Sequence, residues 1–301
     1  MRSNGPIVVG VDGSAGSAAA VAWGAQAAAQ HRAPLHLVHA LDPVADYGPG
    51  ITEPLTSTDY ARLEGHGRWV LDTAAEEARI AVRALRDVEV STELVHEPAG
   101  PALLDRTGRA RLTVVGTRER GTVRRALLGS VSAALARRAH CPVVVVREGA
   151  PLTEEARKRP VVVGVDGTEI SEPAIEAALR EASARGVPLL ALHVWIGIEM
   201  PTVSAELAVD TEKQIVLAES LAGWQERFPE VLIRREIVTD RPERSLLERS
   251  EQAQLLVVGS RGRGGFAGML FGSTSQALLL SVACPIMIVR DVTMAVRYLP
   301  D

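Results

Sequence analysis

Cysteine is nearly absent, with two residues in 301, which excludes a disulfide scaffold and any zinc site built from four thiolates. With four Trp, three Tyr and three Phe, aromatics cannot build the core, which must come from Ala, Val, Leu and Ile, the usual stock of an α/β protein. Trp23, Trp69, Trp195 and Trp224 form no stacking array for single-stranded nucleic acid. Neither sign of charge dominates: 33 Lys+Arg against 37 Asp+Glu leave a formal net charge of −4, which argues against a nucleic-acid or polybasic membrane binder. Long hydrophobic runs are missing too. Val187 to Ile198 is broken by His193 and falls short of the roughly 20 residues of a membrane span. The N-terminal residues lead from Gly5 straight into Ile7-Val8-Val9 and then Asp12, too short for a signal-peptide core. A soluble protein of a reducing cytoplasm is expected.

What the chain has is repetition. Ile7-Val8-Val9-Gly10-Val11-Asp12-Gly13 recurs as Val161-Val162-Val163-Gly164-Val165-Asp166-Gly167, and Pro34-Leu35-His36-Leu37-Val38-His39 as Pro188-Leu189-Leu190-Ala191-Leu192-His193. At a smaller offset, Leu112-Thr113-Val114-Val115-Gly116 matches Leu255-Leu256-Val257-Val258-Gly259, Gly129-Ser130 matches Gly272-Ser273, and Cys141-Pro142 matches Cys284-Pro285. The first copy therefore holds about 11 extra residues between His39 and Val95, expected in the Pro/Gly-bearing stretch 42–58. Two domains follow, 1–147 and 160–301, joined by a charged, proline-flanked linker at 148–159.

Within the first copy, short apolar runs (7–11, 35–40, 88–95, 112–116, 143–147) alternate with Ala-rich segments such as Ala15 to Arg32 and Tyr60 to Arg86, spaced as amphipathic helices. Strands that read as unbroken apolar runs are buried on both faces, so each copy is expected to be a doubly wound α/β domain. Its five-stranded parallel sheet has the order 3-2-1-4-5, with helices on both faces. Ligands of such sheets sit beyond the carboxyl ends of the strands where the winding reverses, here between the first and fourth strands.

Two segments meet there in each copy. One is the turn after the first strand, carrying Asp12 or Asp166. The other is the loop after the fourth strand, which in the second copy runs Gly259-Ser260-Arg261-Gly262-Arg263-Gly264-Gly265-Phe266-Ala267-Gly268-Met269-Leu270-Phe271-Gly272-Ser273 and then Thr274-Ser275-Gln276. Glycines allow positive φ and close backbone approach, so that successive N–H groups can face one anion; Gly272-Ser273 opens a helix whose N-terminus favours negative charge. Arg261 and Arg263 add positive charge, and a polyphosphate fits best. A tight turn with Ser273-x-x-Gln276 as a capping box is the competing account. The aspartates suit ribose hydroxyls, and equally a turn or N-cap, although Ser14 and Thr168 are available for capping.

These residues carry a resemblance. Both halves resemble universal stress protein domains, and the whole chain resembles the bacterial tandem-domain members of that family. The family's ATP-binding pattern G-x2-G-x9-G-[ST] is met in full by Gly259, Gly262, Gly272 and Ser273, and the resemblance runs from about residue 6 to 147 and from 160 to 290. It implies a Rossmann-like or flavodoxin-like fold that binds ATP, with adenine at backbone groups near Ala40 and Val194 and ribose near Asp12 and Asp166. Phosphates with Mg²⁺ would lie on the glycine loop and the following helix, the metal held through the phosphates with no direct protein ligand. The implied first site is Gly10, Asp12, Ala40, Gly116, Thr117, Arg118, Gly129, Ser130, Val131 and Ser132. The implied second site is Gly164, Asp166, Val194, Gly259, Ser260, Arg261, Gly262, Arg263, Gly264, Gly265, Gly272, Ser273, Thr274 and Ser275.

The first copy departs from the pattern. Glu119 stands where the second glycine belongs, with Arg118, Arg120, Arg124 and Arg125 nearby to offset its charge, and this site is expected to be weaker or empty. Cys141 and Cys284 read as buried and inert, and the family's packing of fifth strands about a pseudo-twofold axis would keep them apart. His39 and His193 read as structural or ligand-adjacent. A G-x4-G-K-[ST] P-loop is absent and neither loop contains lysine, so no catalytic residue is assigned. The favoured function is an ATP-dependent regulator of the stress response acting through an unidentified protein partner. Two alternatives stand beside it: a slow ATPase or phosphotransferase using Asp166 and Mg²⁺ at Ser273 or Ser275, and a dimerisation module with a vestigial site. Tandem domains already supply the family's pairing, and a homodimer of two such chains stays open.

Overall fold

The computed structural model describes residues 5–42, 56–83, 85–117, 129–195, 214–262 and 272–290. The chain divides into two compact units, Met1–Gly149 and Ala150–Asp301. Unit 1 runs β1 (Ile7–Gly10), α1 (Ala15–His31), β2 (Leu35–Ala40), α2 (Ser57–Val82), β3 (Val90–Val95), α3 (Ala99–Thr107), β4 (Leu112–Thr117), α4 (Ser130–Arg138) and β5 (Val143–Arg147). Its strands pair in parallel in the order β3-β2-β1-β4-β5. Unit 2 repeats the plan with β6 (Val161–Val165), α5 (Glu172–Arg185), β7 (Leu189–Trp195), β8 (Ile233–Thr239), α6 (Pro242–Ser250), β9 (Leu255–Gly259), α7 (Ser273–Ser281) and β10 (Ile286–Val289). Here the parallel order is β8-β7-β6-β9-β10. A helical stretch over 214–220 and the turn Trp224–Arg227 occupy the place of α2. Most of the 42–58 stretch, residues 43–55, lies outside the described residues.

The inner strands are apolar because helices cover both of their faces. Ile7, Val9, Val114, Val144, Val162 and Val257 are all fully buried. The run 88–95 behaves differently. Only Val90–Val95 is extended, and Ser91 and Thr92 are exposed, because within its unit β3 pairs with β2 alone and has one open edge.

Glycine sets how closely helix and sheet approach. A Cβ on Gly116 in β4 would overlap the Gly16 carbonyl in the first turn of α1 and come 2.7 Å from the Ser17 nitrogen. Gly10 leaves room for Leu103 of α3 at 2.7 Å, and Gly164 for Leu246 of α6 at 3.3 Å. Two positions read as ligand contacts therefore carry a packing role.

The segment joining the repeats is more than a tether. Thr153 caps a single helical turn, Glu154–Arg157, and Ala156 is buried. Gln254 Nε2 donates to the carbonyls of Arg157 (2.8 Å) and Arg159 (2.6 Å), while its Oε1 accepts from Arg185 Nη1 (3.2 Å). Arg185 is in turn paired with the buried Glu181 (2.9 Å). This part of the linker is thus bonded into unit 2.

Candidate functional site

After β1 and β6 the chain turns through a glycine in the left-handed region, Gly13 at φ 74° and Gly167 at φ 79°. The turn folds the following polar residue back onto the aspartate. Asp12 Oδ1 accepts from Ser14 N (3.0 Å) and Ser14 Oγ (2.5 Å), and Asp166 Oδ1 accepts from Thr168 N (2.9 Å) and Thr168 Oγ1 (2.7 Å). One carboxylate oxygen of each aspartate therefore serves the turn.

Beyond that the copies part. In unit 1 Ser14 caps α1, accepting from Ser17 N (3.2 Å), Ser17 Oγ donates to Ser14 O (2.9 Å), and Asp12 lies exposed. In unit 2 Pro173 occupies the second position of α5. Lacking an N–H, it cannot make the bond to Glu169 that would carry the α-helix back toward β6. A 3₁₀ turn, Glu169–Ser171, stands there instead. Ser171, the counterpart of Ser17, donates its hydroxyl to Asp166 Oδ1 (2.6 Å) and accepts from Asp166 N (3.0 Å). Asp166 is half-buried, and its Oδ2 is buried with no hydrogen-bond partner among the described residues. A Cβ on Gly262 would stand 3.2 Å from that oxygen, so the β6 aspartate and the second glycine of the motif face each other at close range.

Three motif glycines of unit 2 are described: Gly259, Gly262 and Gly272. None of these three has positive φ, while Gly264, Gly265 and Gly268 of the same loop lie outside the described residues. Close approach is the service of Gly259, whose added Cβ would lie 3.0 Å from the Arg261 carbonyl, whereas one on Gly272 would make an ordinary contact at 3.6 Å from the Ser260 carbonyl. Gly272 N donates to Ser260 O (2.9 Å), and Ser275 Oγ donates to Gly259 O (2.7 Å), closing both ends of the loop on each other. The capping-box reading of Ser273 and Gln276 fails, because the N-cap is Gly272, whose backbone carbonyl accepts from Gln276 N (3.1 Å). Among the described residues no side chain caps α7. Likewise Gly129 is the N-cap of α4 without a side-chain bond, whereas α1 and α2 are capped by Ser14 and Thr56. Two helix N-termini at the carboxyl ends of β4 and β9 thus have no side-chain cap among the described residues, an arrangement that suits an anion.

Each β1-type strand is held in place by a histidine from its neighbour. His39 Nδ1 donates to Val11 O (2.7 Å) and His193 Nδ1 to Val165 O (2.8 Å), the carbonyls next to Asp12 and Asp166. The carbonyl can only accept, which places a proton on Nδ1. These histidines are structural supports of the crevice, a role their position at the end of β2 and β7 made legible only in part.

Comparison with known proteins identifies the family. The sequence model of the universal stress protein family matches residues 4–147 and again 158–290. The chain belongs to the universal stress protein family. It is 42% identical over 293 residues to the universal stress protein Rv2005c of Mycobacterium tuberculosis, covering 96% of this chain and 98% of that one. It is 41% identical over 288 residues to Rv2623 of the same organism, covering 95% and 96%. Tandem organisation is thus shared along full length. A crystal structure of a universal stress protein from Archaeoglobus fulgidus superimposes with a TM-score of 0.68 at 19% identity, covering 96% of this chain and 99% of that one, which attests the fold.

Within this universal stress protein the remaining expected site residues fall as follows. Ala40 ends β2, while Val194 lies one residue inside β7, opposite Val238. Thr117 ends β4 with its Oγ1 buried and without a hydrogen-bond partner among the described residues, and Ser260 is buried just after β9. Ser132 donates its hydroxyl to Gly129 O (3.0 Å), a bond within its own helix end, unlike that of Ser275. Val131, Ser273 and Thr274 lie in the first turns of α4 and α7. Arg118 and Glu119, like Arg263, Gly264 and Gly265, lie outside the described residues. Both cysteines are free and buried; burial pushes the Cys141 thiol up to about 11 and the Cys284 thiol up to about 12. Among the described residues no group of three or more His, Cys, Asp or Glu could hold a metal, and no helix is long and apolar enough to cross a membrane.

Proposed function

We propose that the protein is a nucleotide-dependent regulator of the stress response that binds ATP, with unit 2 as the principal site and unit 1 as a weaker one. The observation that carries this reading is Asp166 Oδ2, a buried carboxylate oxygen with no donor among the described residues, close to the motif glycine Gly262. An unsatisfied buried acceptor costs roughly 1–3 kcal/mol, so a ligand that brings a hydroxyl donor there gains what the free protein lacks. A ribose hydroxyl is such a donor. At the other end of the loop, the uncapped N-terminus of α7 and the cation Arg261 suit phosphates, with Mg²⁺ carried on them.

Nucleotide occupancy then acts by favouring one conformation or partner, which requires differential affinity and no chemical step. Hydrolysis has little support: Asp166 Oδ1 is bonded to three donors and the Ser275 proton is given to Gly259 O. A cytoplasmic location agrees with two free, buried cysteines. Association into a homodimer remains open to the same chain. The test is mass spectrometry of nucleotide released from the purified protein, with thermal unfolding in ATP-Mg²⁺. Intact ATP and a rise in Tm are expected. Absence of adenine nucleotide with no shift in Tm contradicts the reading and favours a vestigial site, whereas recovery of ADP only, with turnover, favours a slow ATPase.

A further inference from the structure

Unit 1 carries a serine, a histidine and a glutamate in hydrogen-bonded series, toward the amino ends of β2 and β3 and away from the nucleotide crevice. His36 and Ser91 stand opposite each other in the parallel register, and Glu93 lies two residues beyond Ser91, so the three side chains share one face of the sheet. His36 Nδ1 is 2.9 Å from Ser91 Oγ, and His36 Nε2 is 2.8 Å from Glu93 Oε2. Arg106 of α3 fixes the carboxylate through Nε (2.8 Å) and Nη2 (2.6 Å).

The partners decide where the protons lie. Arg106 above all, then His36, hold the Glu93 carboxyl down at about 2 against burial, so at neutral pH it is ionised and can only accept. His36 Nε2 therefore carries a proton and donates it to Glu93. In the neutral ring Nδ1 is left as a bare acceptor, and the Ser91 hydroxyl is the donor that faces it. The other acceptor within reach of that hydroxyl, Leu35 O, is farther away at 3.3 Å. A hydroxyl held on the lone pair of an imidazole whose other nitrogen is held by a carboxylate is an activated nucleophile. The shared fold does not require it. In unit 2 Glu236 and Arg249 keep their pair, while Leu190 and Arg234 stand opposite each other in the places of His36 and Ser91. Access is open, with Ser91 exposed and the His36 side chain 24% exposed. Val95 O accepts from Leu41 N (2.8 Å), as Glu89 O does from Leu35 N (2.8 Å), so Ser91 turns its backbone toward β2 and the N–H of Thr92 faces the open edge of the sheet.

We propose that Ser91 is a nucleophile for acyl transfer from small activated carboxylic esters, with His36 as its general base and Glu93 as the residue that positions the imidazole. This goes beyond the nucleotide reading and does not rest on it. Ser91 Oγ attacks the ester carbonyl carbon while its proton passes to His36 Nδ1. The carbonyl oxygen takes the electron pair as an oxyanion, with the Thr92 N–H as its donor. Its collapse breaks the C–O bond to the leaving alcohol, which takes the proton from His36, and water then releases the acid by the same route.

The test exposes the full chain to a fluorophosphonate and to p-nitrophenyl acetate, as wild type, Ser91→Ala, His36→Leu and Glu93→Gln, with urea unfolding as the check on folding. His36→Leu copies the residue that unit 2 carries. The phosphonate adduct, located by peptide mass spectrometry, is expected on Ser91 and is expected to be absent from Ser91→Ala. In ester hydrolysis kcat should fall about hundredfold or more for Ser91→Ala and His36→Leu, and about tenfold for Glu93→Gln with KM within about threefold. No adduct, an adduct on another residue, or equal hydrolysis by wild type and Ser91→Ala overturns the proposal, and the place of the adduct in wild type decides even where a variant fails to fold. An unchanged kcat in His36→Leu overturns the role of His36. A change confined to KM in Glu93→Gln marks a structural role and overturns the positioning part.

Discussion

The two units share a strand plan, a histidine clasp and a glycine turn, yet they present different chemistry at the carboxyl ends of their sheets. The divergence begins with one residue. Pro173 in unit 2 has Ala19 as its counterpart in unit 1, and the lost N–H leaves a 3₁₀ turn before α5 where α1 runs on unbroken. Ser171 is thereby turned onto Asp166, whereas Ser17 stays within its helix. Asp166 is left half-buried with one orphaned oxygen, and Asp12 is exposed. The loop ends differ in the same sense: Ser275 spans from α7 to Gly259, while Ser132 bonds its own N-cap. Within one chain, a shared fold fixes where a site lies, and a few polar residues decide whether it is built to receive a ligand.

The largest expected contrast is steric. Gly116→Ala drives a Cβ into the α1 backbone, which cannot move aside as a side chain can, and should cost about 3 kcal/mol or more. Gly259→Ala meets the Arg261 carbonyl at 3.0 Å and should cost about 1 kcal/mol. Urea unfolding of both variants measures the gap; equal losses would mean that the units pack alike at these strands. Next comes affinity. Asp166→Asn replaces the orphaned acceptor with an amide donor or leaves it a poorer acceptor, and should weaken ATP binding by about ten- to hundredfold. Asp12→Asn should change the tighter binding by less than about threefold, and a reversal of the two would move the principal site to unit 1.

A smaller contrast concerns the pairs that tie each edge strand to a helix. Glu93 accepts from Arg106 Nε (2.8 Å) and Nη2 (2.6 Å) and binds His36 Nε2 (2.8 Å); in unit 2 Glu236 meets Arg249 alone, with Leu190 in place of His36. Arg106 above all, then His36, pull the Glu93 carboxyl down to about 2 from its usual 4.5, against burial, which opposes them. A depressed carboxylate stabilises the fold above its unfolded pKa, and that stability is lost as pH falls from about 4.5 toward 2. Because Glu93 is 38% exposed, Glu93→Gln should cost only about 1 kcal/mol near pH 7. The difference from wild type should close on acidification, and a gap that persisted at pH 2 would deny the pair its electrostatic origin. The smallest contrast is between the cysteines: thiol reagents should modify neither Cys141 nor Cys284 at pH 8 until the chain unfolds. Rapid labelling of one in the native state would show that its unit opens.

Much of this was legible in the sequence, for reasons that can be named. Valine-rich runs and their recurrence identify parallel strands because two-sided burial demands them, and the order of pairing followed from right-handed crossovers. Asp166, Gly259 and Gly262 were singled out by motif and by place in the sheet, and the structure brings Gly262 up to Asp166. Their detailed roles were not legible. A glycine's need is invisible until its neighbour is known, so Gly10 and Gly164 read as ligand contacts although they make room for Leu103 and Leu246. Positive φ occurs in the turn after the first strand of each unit, at Gly13 and Gly167, where no such need was read. The capping box matched in letters but missed by one residue, since Gly272 already supplies the N-cap. Glu119 was the sign that the two sites differ, whereas Pro173, which the motif does not include, shows its effect only through the orientation of Ser171.

Equilibrium titration of the full chain with ATP-Mg²⁺, read as stoichiometry alongside the Asp166→Asn variant, tests the central claim most directly. The account predicts one tight site per chain, weakened about ten- to hundredfold by Asp166→Asn. Two sites of equal affinity, or one that survives that substitution unchanged, would contradict it.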